Sequence, residues 1–351
     1  MSDKSAIEWT DATWNPIVGC SATSPACTNC YAMAMARRII AMAETSGKRT
    51  HYQGTAIYHE PSRTPIWTGK VAQAPEDILT QPLHWKRGRK IFVNSMGDLF
   101  HPSVPDEWID RVFAVAARCP QHTLQILTKR GDRMRRYCSD PATPMRIFGA
   151  ASELPDAGTL DMKAVSDLHQ RLKAWPLANC WLGATAEDQP RADERRDDLA
   201  ALADQGWTTF ASYEPALGPV DWRGWEFLRQ LIAGGESGPR ARVPHPDWFR
   251  TARDWSASNG VAYYFKQWGE WAEVDCPDAN DDGSNQDAYF DALDAAFKGD
   301  PKYAAMSPDG YRFDGSERVN SRPHGPSAFY RVGKRRAGRM LDGREHQESP
   351  A

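Results

Sequence analysis

Residues 91–98, IFVNSMGD, join a short apolar run to a group of small and polar residues, and this transition decides the fold class. Such a run predicts a buried strand, and the polar residues after it predict the loop that leads to a helix. The same transition recurs in 124–130 (LQILTKR), 180–188 (CWLGATAED), 208–215 (TTFASYEP), 231–238 (LIAGGESG) and 262–270 (AYYFKQWGE). Repeated units of this kind are typical of an α/β protein with a parallel sheet.

Helical patterns occupy several of the gaps between these strands, at 105–118, 190–204 and 246–258. Weaker strand patterns near 13–18 and 66–71 bring the number of strands to about eight, which is the number that a closed (β/α) barrel uses. We therefore predict an α/β fold built on a complete or partial (β/α) barrel.

The polar residues that follow the predicted strands are the first candidates for a functional site. In a parallel barrel the active site lies at the carboxyl ends of the strands, so these residues are expected to surround one mouth. They are Asp98, His101, Lys129, Glu187, Glu214, Glu236 and Lys266. Each one alone is also compatible with an ordinary solvated loop residue, because loops are polar.

The composition restricts the class of protein. Of the 351 residues, 41% are hydrophobic and 25% are charged, which is typical of a soluble globular protein. The apolar runs are too short to span a membrane, and the first residues resemble no secretory signal, so we expect a cytoplasmic protein. The net charge is −3, so any binding to nucleic acid must come from local basic patches.

The charge pattern predicts three regions. Residues 1–272 carry the barrel pattern. Residues 273–320 are predicted to be an exposed acidic insertion, since 273–300 contains nine carboxylates and one lysine. Residues 321–351 form a basic segment that is expected to pack on or near the barrel.

Three of the seven cysteines lie close together, in the segment GCSATSPACTNCYA. Cys20, Cys27 and Cys30 are separated by six and two residues, and a helical pattern follows from about Tyr31. Three thiolates leave a cubane iron–sulfur cluster with one open iron, and they leave a tetrahedral zinc one ligand short. The alternative is therefore a zinc site completed by a distant residue such as His51, His59 or Cys276.

Several strings along the chain form a set that is more specific than any one of them. The set is WNPIVGC (14–20), CYA (30–32), VNSMGDLFH (93–101), LTKR (127–130), YEPALGPV (213–220), AGGESGPRAR (233–242), FKQWGEW (265–271) and RVGKRRAGRMLDGRE (331–345). Together they resemble a family of phage and prophage proteins with a three-cysteine motif, which is similar to a branch of the radical S-adenosylmethionine superfamily.

This resemblance implies a barrel of the radical S-adenosylmethionine type with a [4Fe–4S] cluster on Cys20, Cys27 and Cys30. The open iron would bind S-adenosylmethionine, and an external electron donor would drive its cleavage to methionine and a 5′-deoxyadenosyl radical. The cysteine spacing departs from the superfamily's commonest pattern of three and two. The Gly-Gly-Glu segment also departs, because it follows the seventh predicted strand here rather than the second.

Two further sets of candidates follow from this interpretation. Small residues and carboxylates at strand ends could contact the cofactor, and the candidates are Asn94, Ser95, Glu187, Gly234, Gly235 and Glu236. Lys129, Glu214 and Lys266 are the candidate catalytic residues. The glycine pair is equally compatible with a tight turn.

The resemblance favours a radical enzyme that modifies or rearranges a nucleic-acid base, for example at the 5-methyl group of thymine in phage-type DNA modification. DNA lesion repair, a radical enzyme for a peptide or small metabolite, and a non-catalytic zinc-bound nucleic-acid-binding module are the alternatives. The basic segments 84–90, 129–136 and 331–344 are the expected contacts for phosphate.

Overall fold

The computed structural model describes residues 5, 7–155, 161–274, 286–313 and 327–350. The chain divides into two compact units. The first unit consists of Met1–Thr185 and Glu194–Phe210, and the second consists of Ala186–Asp193 and Ala211–Ala351.

The first unit begins with strands, a long helix and a hairpin. The strands are β1 (Ala12–Trp14), β2 (Ile17–Val18), β3 (Ala56–His59), β4 (Thr64–Trp67) and β5 (Ala72–Gln73). Between β2 and β3 lie a 3₁₀ turn (Pro25–Asn29) and helix α1 (Tyr31–Thr45), and after β5 come α2 (Glu76–Leu79) and a second 3₁₀ turn (Gln81–His84).

Strands and helices then alternate. The elements are β6 (Lys90–Val93), α3 (Asp106–Arg118), β7 (Thr123–Thr128), α4 (Gly131–Ser139), α5 (Thr143–Ser152), α6 (Met162–Lys173) and β8 (Cys180–Thr185). Next come α7 (Gln189–Asp204) and β9 (Thr208–Tyr213), through which the boundary between the units passes.

The second unit continues the alternation of strands and helices and then contains mostly short strands. Its elements are β10 (Gln230–Gly234), α8 (Pro246–Asn259), β11 (Ala262–Gln267), β12 (Trp271–Val274), α9 (Gln286–Phe297), β13 (Tyr303–Met306), β14 (Ser327–Arg331), α10 (Lys334–Ala337), β15 (Met340–Leu341) and β16 (Arg344–Glu345).

Seven strands form one sheet in the order β1-β6-β7-β8-β9-β10-β11, so strands enter the sheet in chain order. The registers of β1 with β6, β6 with β7, β7 with β8 and β10 with β11 are parallel. A mixed α/β fold of this order is consistent with a partial (β/α) barrel. The helices predicted at 105–118, 190–204 and 246–258 are confirmed as α3, α7 and α8.

The strand predicted near 66–71 does not join the large sheet. The extended residues there belong to β4, which pairs antiparallel with β3 in a separate two-stranded hairpin. The pattern near 13–18 divides into β1, which joins the large sheet, and β2, which pairs antiparallel with β5. The sheet therefore has seven strands rather than eight.

The segment predicted to be an exposed acidic insertion is only partly described. In its described part, α9 packs one face into a small core that includes Tyr289 and Leu293, while Asp291 and Asp294 face solvent. Strands β12, β14 and β13 form a three-stranded antiparallel sheet in that order. Apolar residues between the carboxylates explain why this segment folds.

The end of the chain pairs with β11, the last strand in the sheet order. The Phe265 amide donates to the His346 carbonyl at 2.9 Å, and the Glu348 amide donates to the Tyr263 carbonyl at 3.1 Å. The basic C-terminal segment therefore covers a strand edge that would otherwise expose unpaired backbone groups. Within the described ranges, no helix is both long enough and apolar enough to cross a membrane.

The backbones after β10 and β11 approach each other closely at Gly235. The Gly235 amide donates to the Gln267 carbonyl at 2.9 Å, and a Cβ at Gly235 would lie 1.9 Å from the Trp268 carbonyl oxygen. A side chain at this position would force the two backbones apart, so packing alone requires glycine here.

We therefore expect Gly235→Ala to destabilise the protein by roughly 3 kcal/mol, because the new methyl group meets backbone that cannot move without breaking the pairing. Gly149→Ala is the matched control, since this glycine lies in α5 with nothing within 4 Å of the added Cβ. It should stabilise the helix by about 0.5–1 kcal/mol. Urea unfolding measures both, and equal stabilities for the two variants would contradict the close approach.

Candidate functional site

The loop that carries the three cysteines is attached to the carboxyl end of β6. The Gly19 amide donates to the Met96 carbonyl at 3.1 Å. Asn15 Oδ1 accepts hydrogen bonds from the Met96 amide at 2.9 Å and from Ser95 Oγ at 3.1 Å. Asn94 Oδ1 accepts from the Ile17 amide at 3.2 Å. Asn94 and Ser95, which the sequence suggested as cofactor contacts, thus fasten the cysteine loop to the strand beside it.

Cys27 and Cys30 lie at the entrance to α1. Cys27 is in the 3₁₀ turn, and Cys30 is the residue that precedes the first turn of α1. The Cys30 amide donates to the Cys27 carbonyl at 3.3 Å, and Ser24 Oγ lies 3.8 Å from Cys27 Sγ. Cys27 is buried, whereas Cys20 and Cys30 are partly exposed.

Burial dominates the electrostatics of two of the three thiols, Cys20 and Cys30. Burial raises the pKa of Cys20 to about 12, with a smaller contribution from Cys30. Burial also raises the pKa of Cys30, where the charge of Cys27 adds to the effect and the nearby Lys129 ammonium opposes it. The raised pKa values of Cys20 and Cys30 favour their protonated thiols, so a metal would have to displace those protons.

The donor set fits an iron–sulfur cluster in ligand type and number. Within the described ranges, no group of three or more His, Cys, Asp and Glu side chains is arranged around a point that would hold a single metal ion. In a cubane each cysteine binds a different iron, so the sulfurs need not converge on one point. Cys27 and Cys30 are held by one short turn, in which the Cys30 amide donates to the Cys27 carbonyl.

The residues considered as a fourth zinc ligand have other surroundings. His51 packs against the ring of Tyr52, with the ring centroids 4.6 Å apart. His59 lies on the β3–β4 hairpin, where its Nδ1 is 3.1 Å from Ser62 Oγ. Cys276 lies outside the described residues.

A part-buried ion pair ties the cysteine loop to β7. Arg130 Nη1 donates to Asp98 Oδ2 at 2.6 Å and to Cys20 Sγ at 3.7 Å, and its Nη2 donates to the Ser21 carbonyl at 3.1 Å. Thr128 Oγ1 donates to Asp98 Oδ1 at 2.7 Å. Burial opposes the Arg130 charge, but Asp98 and Cys20 outweigh it and raise the pKa of the guanidinium.

His101 extends this network. Its Nε2 lies 2.8 Å from Ser21 Oγ, which also accepts a hydrogen bond from Arg130 Nη2 at 3.0 Å. The sequence placed Asp98 and His101 at the mouth, and the structure brings them together. The sequence pattern did not assign Arg130 a role toward Cys20. The only signal was the position of Arg130 directly after β7.

The remaining candidates lie in the second unit. Lys266 Nζ is 2.5 Å from Glu214 Oε1, so these two predicted catalytic residues form an ion pair where β9 and β11 end. A Cβ at Gly234 would lie 3.7 Å from Glu214 Cδ. Glu187 is fully buried, and its carbonyl accepts from the Leu217 amide at 2.8 Å.

Glu236 is held by a basic residue of its own loop. Arg242 Nε donates to Glu236 Oε2 at 2.8 Å, and the Arg242 amide donates to the same oxygen at 2.9 Å. The carboxylate proposed to meet the ammonium of a cofactor therefore binds a guanidinium in this structure. The sequence showed Arg242 six residues later but not the loop that folds it back.

A family model described as a protein of unknown function, DUF5131, matches residues 4–350. The chain belongs to the DUF5131 family. No curated protein and no solved structure matches the chain. The matched range includes residues of both units.

Asp98 should be a major contributor to stability in the first unit. The side chains of Arg130 and Asp98 are 10% and 7% exposed, so Asp98→Asn leaves a mostly buried cation without its counterion. We expect the free energy of unfolding to fall by about 3 kcal/mol or more.

Asp132→Asn is the matched control for this change. Asp132 pairs with Arg136 across one turn of α4, and the two side chains are 64% and 68% exposed. Its loss should change stability by less than about 1 kcal/mol. Urea unfolding of both variants is the test, and an Asp98→Asn effect no larger than that of Asp132→Asn would refute the role of the pair.

Proposed function

We propose that this protein is a radical S-adenosylmethionine enzyme that binds a [4Fe–4S] cluster through Cys20, Cys27 and Cys30. The observation that carries the proposal is that the cysteine loop is fastened at the carboxyl ends of β6 and β7, where the Gly19 amide donates to the Met96 carbonyl and Arg130 Nη1 donates to Cys20 Sγ. Cys27 and Cys30 lie in one turn of this loop, at the entrance to α1. Functional sites of parallel α/β folds lie at these strand ends.

The cluster would supply an open iron for S-adenosylmethionine and one electron, taken from an external donor, for its cleavage to methionine and a 5′-deoxyadenosyl radical. The protein's part is to bind, orient and exclude water. Asp98 and Arg130 hold the loop, and Arg130 places a guanidinium hydrogen bond on the Cys20 sulfur. Hydrogen bonds to cysteine sulfurs are one of the protein's means of setting the potential of a cluster.

The proposed substrate is a nucleic-acid base, as in phage-type DNA modification at the 5-methyl group of thymine. The basic segments supply candidate phosphate contacts. In the segment 84–90 the Arg89 guanidinium lies 4.7 Å from the centre of the Trp85 ring, which is half-buried. Arg335 and Arg336 are exposed on α10, next to the residues that follow β11. Such combinations of cation and aromatic ring are typical of surfaces that bind single-stranded nucleic acid.

Base stacking would have to use the tryptophans that reach the surface. Trp9, Trp14 and Trp271 are buried, so their contribution is to the core. Trp67, Trp85 and Trp268 are half-buried. A base within a duplex would also have to leave the stack before it could reach a part-buried site.

Anaerobic reconstitution with iron and sulfide tests the proposal. The wild-type protein should bind four irons, turn brown, and release 5′-deoxyadenosine when reductant and S-adenosylmethionine are added. Cys20→Ala, Cys27→Ala and Cys30→Ala should each lose the cluster and the product, because a cubane needs all three thiolates here.

Cys119→Ala is the control, since Cys119 is buried at the end of α3 and is not part of the cysteine loop. It should retain the iron and the product. Cys27→Ala with full iron and unchanged visible absorption would refute the assignment. Colourless wild-type protein with stoichiometric zinc would favour the zinc-bound module instead.

A further inference from the structure

A cavity of about 560 Å³ lies beside the cysteine loop in the first unit, and four basic residues line it. They are Lys129, Arg130, Arg133 and Arg136. Two carboxylates, Asp132 and Glu194, also line the cavity, together with Thr23 of the cysteine loop. The volume is within the range of small-molecule sites.

Two of the four cations are fixed in place. Arg133 donates hydrogen bonds to the carbonyl oxygens of His101 and Val104 and pairs with Asp106 at 3.0 Å. Arg130 is held by Asp98 at 2.6 Å. Both guanidinium groups are therefore oriented before any ligand arrives, which lowers the entropy lost on binding.

The cation at the outer edge of the cavity is held more weakly. Arg136 pairs with Asp132 at 2.9 Å, and both side chains are largely exposed to solvent. An exposed pair of this kind contributes little, so a more strongly charged anion can replace Asp132 as the partner of Arg136. Lys129, which directly follows β7, adds a second positive charge to this part of the lining.

The chemistry of these groups favours a phosphate ester over a carboxylate. Guanidinium groups bind the oxygens of phosphate in pairs, and a phosphate presents three acceptor oxygens to several donors at once. A phosphomonoester also carries nearly two negative charges at neutral pH, against one for a carboxylate. Four basic residues beside two carboxylates match the larger charge better.

We infer that this cavity binds the phosphate group of a nucleotide, with Arg130 and Arg133 as its fixed wall and Lys129 and Arg136 as its adjustable cations. This inference deepens the proposed function, on which its choice of substrate rests, by naming the part of the substrate that the first unit recognises. The phosphate site itself is built from residues other than the cysteines.

Calorimetric titration with thymidine 5′-monophosphate, thymidine and inorganic phosphate tests the inference on the full chain. The monophosphate should bind at least about tenfold more tightly than thymidine, because the phosphate supplies the charged contacts. It should also bind more tightly than inorganic phosphate. Equal affinity for the nucleotide and either of the other two probes would overturn the inference.

Two neighbouring arginines of α4 give a matched pair of variants. Arg136→Gln should weaken binding of the monophosphate by about tenfold. Arg135→Gln should leave the binding unchanged, because Arg135 pairs with Asp198, a residue of α7, at 2.5 Å. Asp132→Asn should strengthen binding, since it removes the competing anion. Equal effects of Arg136→Gln and Arg135→Gln, or no gain with Asp132→Asn, would refute the site.

A short single-stranded oligothymidylate distinguishes a free nucleotide from a strand as the source of the phosphate. Tighter binding of the strand, weakened by Arg136→Gln, assigns the cavity to a phosphodiester, and tighter binding of the monophosphate assigns it to a free nucleotide. Iron and sulfide are measured in the same samples. Nucleotide binding without a cluster contradicts the proposed function alone, and a cluster without nucleotide binding contradicts the phosphate site alone.

Discussion

The ion pair between Asp98 and Arg130 connects the cysteine loop to two neighbouring strands. Asp98 follows β6, Arg130 follows β7, and the guanidinium reaches Ser21 and Cys20 on the loop after β2. Parallel strands end at the same edge of a sheet, so residues far apart in the sequence meet there. The environment of the Cys20 sulfur and the wall of the adjacent cavity depend on this pair, which also adds to the hydrogen bonds that hold the cysteine loop.

The pair also has a chemical consequence for the proposed cluster. A cation that donates to a cysteine sulfur draws electron density from it, which makes a bound cluster easier to reduce. The same guanidinium lines the cavity to which we assign the phosphate. Arg130 would thus orient Cys20 as a cluster ligand and contribute to substrate binding. Asp98 would fix the position of the Arg130 guanidinium for both roles.

Local sequence patterns predicted the sheet well where strand and loop alternate. The run at 91–93 is β6, and the pattern at 105–118 is α3. The strand predicted near 66–71 does not join the large sheet, because β-propensity indicates an extended backbone but not the strand with which it pairs. The strand there, β4, pairs with β3. The sequence did not predict the apolar face of α9, because carboxylates lie between its apolar residues.

The site was predictable only in part. Spacing alone suggested the three cysteines as metal ligands, because chelation needs ligands close together in the chain. The hydrogen bonds of Asn15 to residues about 80 positions later, and the contact of Arg130 with Cys20, arise from tertiary structure that spacing does not encode. Gly235 shows the opposite case, since its motif suggested a cofactor contact and the backbone packing already accounts for the glycine.

Mössbauer spectroscopy of the protein reconstituted with the Mössbauer-active isotope of iron tests the central claim most directly. With three cysteine ligands, one iron of the cubane should lack a protein ligand. S-adenosylmethionine should shift the signal of that single iron and leave the other three unchanged. A spectrum that S-adenosylmethionine does not alter, or iron bound as isolated ions, would contradict an open cubane on these three cysteines.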